Sequence, residues 1–159
     1  MATSGMPAFK DAPRGARLAK AFSPQTIHGE GRLFQEHRVP AGYWIDVGFE
    51  WQAMDVPTLF ATWPFLKIAI SVDGQAITNP QEFSKGPREL ILQTPQGMRA
   101  GFAMQNAACI PPLALGEHTV EWTIRFERDL DDGWTAYPKG REVVITSLIH
   151  VVALPQPRP

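Results

Sequence analysis

The chain has 159 residues, a length that predicts a single domain, because domains usually contain about 100–200 residues. Its 44% hydrophobic content is enough to bury a core and excludes wholesale disorder. The 15 Lys and Arg residues against 16 Asp and Glu leave a net charge of -1. No global field therefore draws the protein to nucleic acid, and no apolar run approaches the roughly 20 residues of a membrane span.

The two ends of the chain lack strand or core patterning. Residues 1–25 show no hydrophobic periodicity and contain Pro7, Pro13 and Pro24, so we predict a non-globular N-terminal arm, with at most a short helix over residues 11–22. The arm has no continuous apolar segment, which argues against an export signal. We expect a cytoplasmic protein by default, or an extracellular one if a signal has been removed.

The folded body is predicted over residues 26–154, followed by a Pro-rich tail at 155–159 that cannot join a sheet because proline lacks the amide donor. Clean period-two alternation of apolar and polar residues predicts three strands with one buried face. These strands cover residues 43–52, 66–72 and 118–127.

The remaining strands carry weaker or different signals. Asp73-Gly74 is a strong hairpin turn, residues 32–39, 89–94 and 98–105 are weaker strands, and residues 142–154 are apolar on both faces, as in a central strand. About seven to nine strands with frequent turns predict an all-β, two-sheet antiparallel β-sandwich, immunoglobulin-like or jelly roll, with a closed barrel as the alternative.

Residues 111–120 form the string P-P-L-x-x-G-x-H-T-V, which leads into a long strand. It resembles a string found in bacterial immunoglobulin-like or jelly-roll β-sandwich domains, mostly uncharacterised and often secreted. Those domains also tend to share a V-D-G-Q hairpin, here residues 72–75, and a D-G-W/Y loop, here residues 132–134. The resemblance covers roughly residues 42–152 and implies the fold, without implying any chemistry. The chain departs from the pattern in lacking a visible export signal.

The cysteine, Cys109, and one of the four histidines, His118, are the first candidate site residues. Cys109 is the one cysteine, which excludes an intrachain disulfide, and its small and apolar neighbours predict a buried, inert thiol. His118 shares a strand face with Val120 and Trp122. We predict a packing histidine that bonds a turn carbonyl, with a ligand-binding or catalytic role as the alternative.

Acidic residues carry the second set of candidates. Asp129, Asp131 and Asp132 precede a glycine, so a calcium site is an alternative to a solvated loop whose Asp side chains accept turn amides. We expect no cofactor otherwise. Asp46 and Glu50 share the polar face of one strand, about 13 Å apart by strand rise, which is too far for a retaining glycosidase pair. The common hydrolase and nucleotide-binding motifs are absent from the sequence.

Five tryptophans are the most suggestive feature. Trp51 and Trp122 lie on apolar strand faces and are predicted core residues. Trp44 lies on a polar face, whereas Trp134 lies in a loop near Tyr137. Such aromatic residues plug the ends of a sandwich, contribute to protein interfaces, or stack on sugars.

These observations predict a non-catalytic β-sandwich binding or assembly domain that engages a protein partner or a second copy of itself. We expect the arm, the tail and the apolar last strand to pack on that partner, so that deleting residues 1–25 weakens an oligomer. One alternative is a carbohydrate-binding module using Trp44, Trp134 and Tyr137. The other is a small enzyme with a pocket at one end of the sandwich, formed by His118, Asp46, Glu50 and residues 129–132.

Overall fold

The computed structural model describes residues 5–22 and 31–155, and it is built almost entirely of strands. Within these two ranges the helices are one α-helix, α1 Val56–Thr62, and two 3₁₀ helices, Trp63–Phe65 and Pro80–Phe83. The strands in chain order are β1 Leu18–Phe22, β2 Gly31–Pro40, β3 Trp44–Ala53, β4 Leu66–Val72, β5 Gln75–Ala76, β6 Ser84–Thr94, β7 Gly97–Ile110, β8 Gly116–Phe126, β9 Leu130–Asp131, β10 Ala136–Tyr137 and β11 Glu142–Val152.

Two sheets pack face to face, which confirms the predicted all-β sandwich. The first sheet has the order β1-β3-β7-β6, the second has the order β2-β11-β8-β4-β5, and β9 and β10 form a small separate ribbon. Three of these eleven strands have only two residues. The other eight (11 − 3) fall within the predicted seven to nine.

The sheets are mixed, so the prediction of a wholly antiparallel sandwich is wrong at two edges. β1 runs parallel to β3, and β2 runs parallel to β11. The topology explains the first pair, because β2 of the opposite sheet lies between β1 and β3 along the chain. The chain crosses to the second sheet for β2 and crosses back for β3, so that β3 runs in the same direction as β1.

The core lies between the inward faces of the two sheets, as period-two alternation predicts. Trp51 of β3 and Trp122 of β8 are buried, at 2% and 0% exposure, which confirms both as core residues. Trp51 also packs against Phe126 and Tyr137, with ring centroids 5.8 and 5.2 Å apart. Burial of one such ring contributes about 1.5–3 kcal/mol, so this aromatic cluster fixes how the β9–β10 ribbon sits on the sandwich.

The described part of the N-terminal arm belongs to the sandwich, which corrects the predicted non-globular arm. Instead of a helix over residues 11–22, residues 18–22 form the edge strand β1, and Ala21 is fully buried. Further upstream, the Phe9 and Cys109 backbones exchange two hydrogen bonds of 2.8 Å. Pairing with β3 outweighs the helix propensity of these Ala-rich residues. The remainder of the predicted arm lies outside the described residues.

The last strand, β11, is a central strand between β2 and β8, as its two apolar faces predict. Its inward residues are buried, whereas its outward residues are half-buried by the neighbouring strands. The half-buried outward side therefore needs no partner molecule to explain it. Beyond β11, residues 153–155 have no regular structure, and the rest of the predicted tail lies outside the described residues. No helix in the described part of the chain is both long and apolar enough to cross a membrane.

Candidate functional site

The acidic loop between β8 and β11 satisfies its own backbone. Asp129 Oδ1 accepts a hydrogen bond from the Lys139 amide at 2.7 Å, and Asp131 Oδ1 accepts one from the Gly133 amide at 2.8 Å. Among residues 5–22 and 31–155, no three His, Cys, Asp or Glu side chains are arranged to hold a metal ion. The loop thus follows the turn-amide interpretation, and the structure does not gather Asp129, Asp131 and Asp132 into a calcium site.

Asp132 is the structural centre of this loop. It is fully buried, and its Oδ1 accepts hydrogen bonds from the Trp134 and Thr135 amides at 2.8 and 2.7 Å. Its Oδ2 accepts a hydrogen bond from the Tyr137 hydroxyl at 3.2 Å. Burial raises the pKa of Tyr137, and the nearby Asp132 charge raises it further. The phenol therefore stays protonated and anchors the loop instead of acting as an acid or base.

His118 is a packing residue that bonds a turn carbonyl, as predicted. Its Nε2 lies 2.7 Å from the Ala114 carbonyl oxygen, and its Nδ1 lies 2.6 Å from Asp73 Oδ2. Burial alone would lower the pKa of His118. The hydrogen bonds to Asp73 and Ala114 and the Asp73 charge outweigh that effect, so the pKa is raised above its ordinary value. Both ring nitrogens are engaged within the chain, which leaves neither directed at a substrate.

Asp46, which the enzyme alternative requires, lies on the outer face of the first sheet. It is 8% exposed, and its Oδ1 has no hydrogen-bond partner among the described residues. Burial raises the pKa of Asp46, although nearby Lys85 and Lys20 oppose the shift. Cys109 is its partner on β7, is buried as predicted, and has a pKa raised by burial to about 11.

Glu50 lies on the same outer face, where its Oε1 accepts hydrogen bonds from Arg88 and Gln105, both at 2.7 Å. His118, in contrast, belongs to the second sheet. A cavity of about 470 Å³ does lie beside the acidic loop. Its lining is Asp129, Leu130, Asp131, Ala136, Tyr137 and Pro138, without a histidine. The structure therefore does not assemble the residues of the enzyme alternative.

The predicted aromatic sugar platform is also not assembled. Tyr137 is only 1% exposed, so although it borders the cavity, its ring presents no open face of the kind that stacks on a sugar. Trp134 is half-buried and packs over Gly101. Trp44 is half-buried at the opposite end of β3, where the Phe9 ring meets it edge-on with centroids 5.7 Å apart. Burial of Tyr137 corrects its assignment as a ligand-binding residue, because Asp132 and the core aromatics hold its ring inside.

An exposed apolar surface was missed by sequence analysis. Ile91 of β6 and Met98 of β7 point to the same side of the β6–β7 hairpin by strand register, and they are 65% and 57% exposed. Phe60 of α1, the helix that contacts β7 at the same end of the sandwich, is 51% exposed. We name Phe60, Ile91 and Met98 the end patch.

Sequence could have found part of this surface. The two strands and their turn at residues 94–97 are recognisable, and together they place Ile91 and Met98 on one face. The sequence does not show how far the opposing sheet extends along this hairpin. Phe102, on the same side of β7, packs against the core, whereas Ile91 and Met98 lie nearer the hairpin turn and are exposed.

Comparison with known proteins gives a weak likeness of fold. No protein-family model and no curated protein matches the sequence. Among solved structures, PbICP-C in complex with falcipain-2 is 9% identical and aligns over 86% of this chain and 100% of its own, with a TM-score of 0.43. The cysteine protease inhibitor EhICP2 of Entamoeba histolytica is 14% identical over 86% of this chain and 100% of its own, with a TM-score of 0.31.

The solution structure of Amebosin is 13% identical and aligns over 78% of this chain and 99% of its own, with a TM-score of 0.30. Similarities at this level assign neither a partner nor an activity to the chain. The function must be argued from its own surface.

Proposed function

We propose that this chain is a non-catalytic β-sandwich that binds a protein partner through the end patch. The observation that carries the proposal is the exposure of three large apolar side chains, each more than half exposed, on the β6–β7 hairpin and on α1, the helix that contacts β7. Single exposed apolar residues are ordinary on protein surfaces, but apolar residues grouped on one surface are typical of interaction sites. Covering them with a partner removes apolar area from water, at about 25 cal/mol per Å².

The chemistry of the end patch favours a protein over a sugar or a small substrate. Two of its three members, Ile91 and Met98, are flexible or branched apolar side chains that adapt to an apolar partner, and Phe60 is its single ring. The end patch does not line the cavity beside the acidic loop, whereas small-molecule sites are usually concave with a few convergent polar groups. The buried ring of Tyr137 and the engaged nitrogens of His118 argue against the two alternative functions.

The partner is either a different protein or a second copy of the chain. Residues 5–22 pack on their own sandwich, so deleting the arm would remove an edge strand and would not isolate an interface. Substituting residues of the end patch tests for both kinds of partner without disrupting the fold. Because Ile91 and Met98 are already in water, aspartate at these positions costs little in the free chain.

The experiment compares the full chain with the double variant Ile91→Asp, Met98→Asp and with the control Phe34→Asp. Phe34 is 63% exposed on β2 of the other sheet, and so matches Ile91 in exposure but lies outside the end patch. Proteins retained from a lysate of the source organism are purified, and their Kd is measured against all three chains. Light scattering on the same chains measures self-association.

We expect the double variant to weaken one complex or the homodimer at least tenfold, while Phe34→Asp leaves it unchanged. A partner that binds all three chains equally would overturn the proposal, as would a chain that is monomeric and retains no protein in a manner dependent on the end patch.

A further inference from the structure

A basic pocket lies on the outer face of the second sheet, where β4 begins and β8 ends. Its volume is about 190 Å³, and its lining is Lys67, Arg125, Phe126, Glu127, Lys139 and Gly140. Three of the six are cations and one is an acid, which gives the lining a formal charge of +2 (3 − 1) in a chain whose net charge is -1. We name Lys67, Arg125 and Lys139 the basic cluster.

The strand register brings two of these like charges together. Lys67 and Arg125 are directly opposite each other on β4 and β8, so their side chains share one face of the sheet. Like charges in directly opposed positions destabilise a strand pair. Within residues 5–22 and 31–155, no carboxylate forms an ion pair with any member of the basic cluster.

Three acids lie close to the cluster. Glu127 is part of the lining, Asp129 accepts the Lys139 amide, and Glu142 of β11 is opposite Arg125 on the side away from Lys67. Within the described part of the chain, none of the three forms an ion pair with the cluster. All three repel an anion, so binding requires a ligand whose several acceptor oxygens engage more than one cation at once.

We propose that the pocket binds a tetrahedral oxyanion, a phosphate or sulfate group carried by a small molecule. The planar Arg125 guanidinium suits two oxygens of such a group, and Lys67 and Lys139 supply mobile point charges for the others. The bound anion also removes the repulsion between Lys67 and Arg125. This site is separate from the end patch, and its occupation does not depend on the protein partner proposed above.

The test is titration of the full chain with inorganic phosphate and, in parallel, with sulfate, at constant ionic strength maintained with sodium chloride. Amide chemical shifts are followed by NMR for the wild type, Lys67→Gln, Arg125→Gln and the control Lys10→Gln. Lys10 is an exposed cation outside the pocket, so its substitution changes net charge by the same amount.

We expect saturable shifts centred on the residues that line the pocket, with the apparent Kd raised about tenfold by Lys67→Gln or Arg125→Gln and unchanged by Lys10→Gln. Lys67→Gln should also raise Tm in chloride buffer, because it removes the like-charge pair. The anion with the lower Kd identifies whether phosphate or sulfate is the ligand group. Shifts that do not saturate, or that weaken equally in all three variants, would overturn the proposal.

Discussion

The Asp73 carboxylate joins the β4–β5 turn to the start of β8 by binding the His118 ring, with Oδ2 and Nδ1 2.6 Å apart. Its other oxygen accepts the Thr119 amide at 2.9 Å, so two consecutive residues of β8 are held by one side chain. Asp73 itself has a φ of 49°, in the left-handed region that Asp tolerates better than most residues. The Asp-Gly turn therefore fixes strand pairing as well as chain reversal.

This contact predicts a pH-dependent stability. Only the imidazolium donates from both nitrogens, to Asp73 and to the Ala114 carbonyl, and the folded-state pKa of His118 is accordingly raised. The stabilisation is complete below the unfolded pKa of about 6.5 and is lost as the pH rises through the raised folded value. At pH 6 we expect Asp73→Asn to lose about 1 kcal/mol, a low value because the carboxylate is partly exposed.

Urea unfolding of both chains from pH 5 to pH 9 measures this difference. The control is His37→Gln, because burial lowers the pKa of His37 and gives the opposite sign. Removing His37 should relieve a loss of stability at acid pH. A difference between wild type and Asp73→Asn that stays constant across the pH range would contradict the assignment to His118.

Asp132 predicts a larger effect that does not depend on function. Asp132→Ala removes the acceptor of two part-buried amides and one partner of the buried Tyr137 hydroxyl, which should cost about 2–4 kcal/mol. Asp129→Ala is the matched control in the same loop, because its exposed carboxylate accepts one amide that water can replace. We expect the control to lose less than about 1 kcal/mol in urea unfolding. Equal losses would show that Asp132 does not anchor the loop.

The strands that sequence predicts well are those whose two faces meet different environments. β4 and β8 alternate cleanly because one face meets the core and the other meets water, whereas the outer face of β3 is also buried but carries polar side chains such as Asp46 and Gln52. β1 gives no such signal. Its inward residues are Ala19 and Ala21, and alanine has a high helix propensity, so the sequence does not indicate a strand there. Its assignment depends on pairing with β3, which lies more than twenty residues away along the chain.

The candidate site was harder to predict, because the burial or exposure of its residues depends on contacts between segments that are far apart in the sequence. Trp134 and Tyr137 occupy one loop, and sequence gives both the character of ligand-binding aromatics. Tyr137 is enclosed because its ring packs against Trp51 of β3 and its hydroxyl donates to the buried Asp132 carboxylate. Neither contact is evident from the sequence. The end patch is the reverse case, because Ile91 lies in the apolar run Leu90–Leu92 and resembles a core residue, yet the structure leaves it exposed.

The hydrogen bond between Trp51 and Thr62 predicts a specific loss in the core. The Trp51 indole N–H donates to Thr62 Oγ1 at 2.8 Å, and the Thr62 hydroxyl in turn donates to the Thr58 carbonyl of α1. Thr62→Val keeps the side-chain shape but leaves the indole donor unpaired, which should cost about 1–3 kcal/mol. Thr62→Ser retains the hydroxyl and should cost less. Chemical unfolding followed by circular dichroism distinguishes them, and identical midpoints would exclude this role.

The packing of the N-terminal segment on β7 predicts the reactivity of Cys109. In the intact chain the thiol is 1% exposed, and its pKa of about 11 leaves only about one thiol in a thousand ionised at pH 8. Deleting residues 1–12 removes Phe9, whose backbone pairs with Cys109, and Asp11, whose charge raises the pKa of the thiol. We therefore expect at least tenfold faster labelling by a thiol reagent, while circular dichroism still reports a β-sheet protein. Phe9→Pro serves as a milder comparison, because it removes the amide that donates to the Cys109 carbonyl and the ring that contacts Trp44 but keeps the rest of the segment, and it should give an intermediate rate. Labelling of the truncated chain at the rate of the intact one would mean that the segment does not shield this edge of the first sheet.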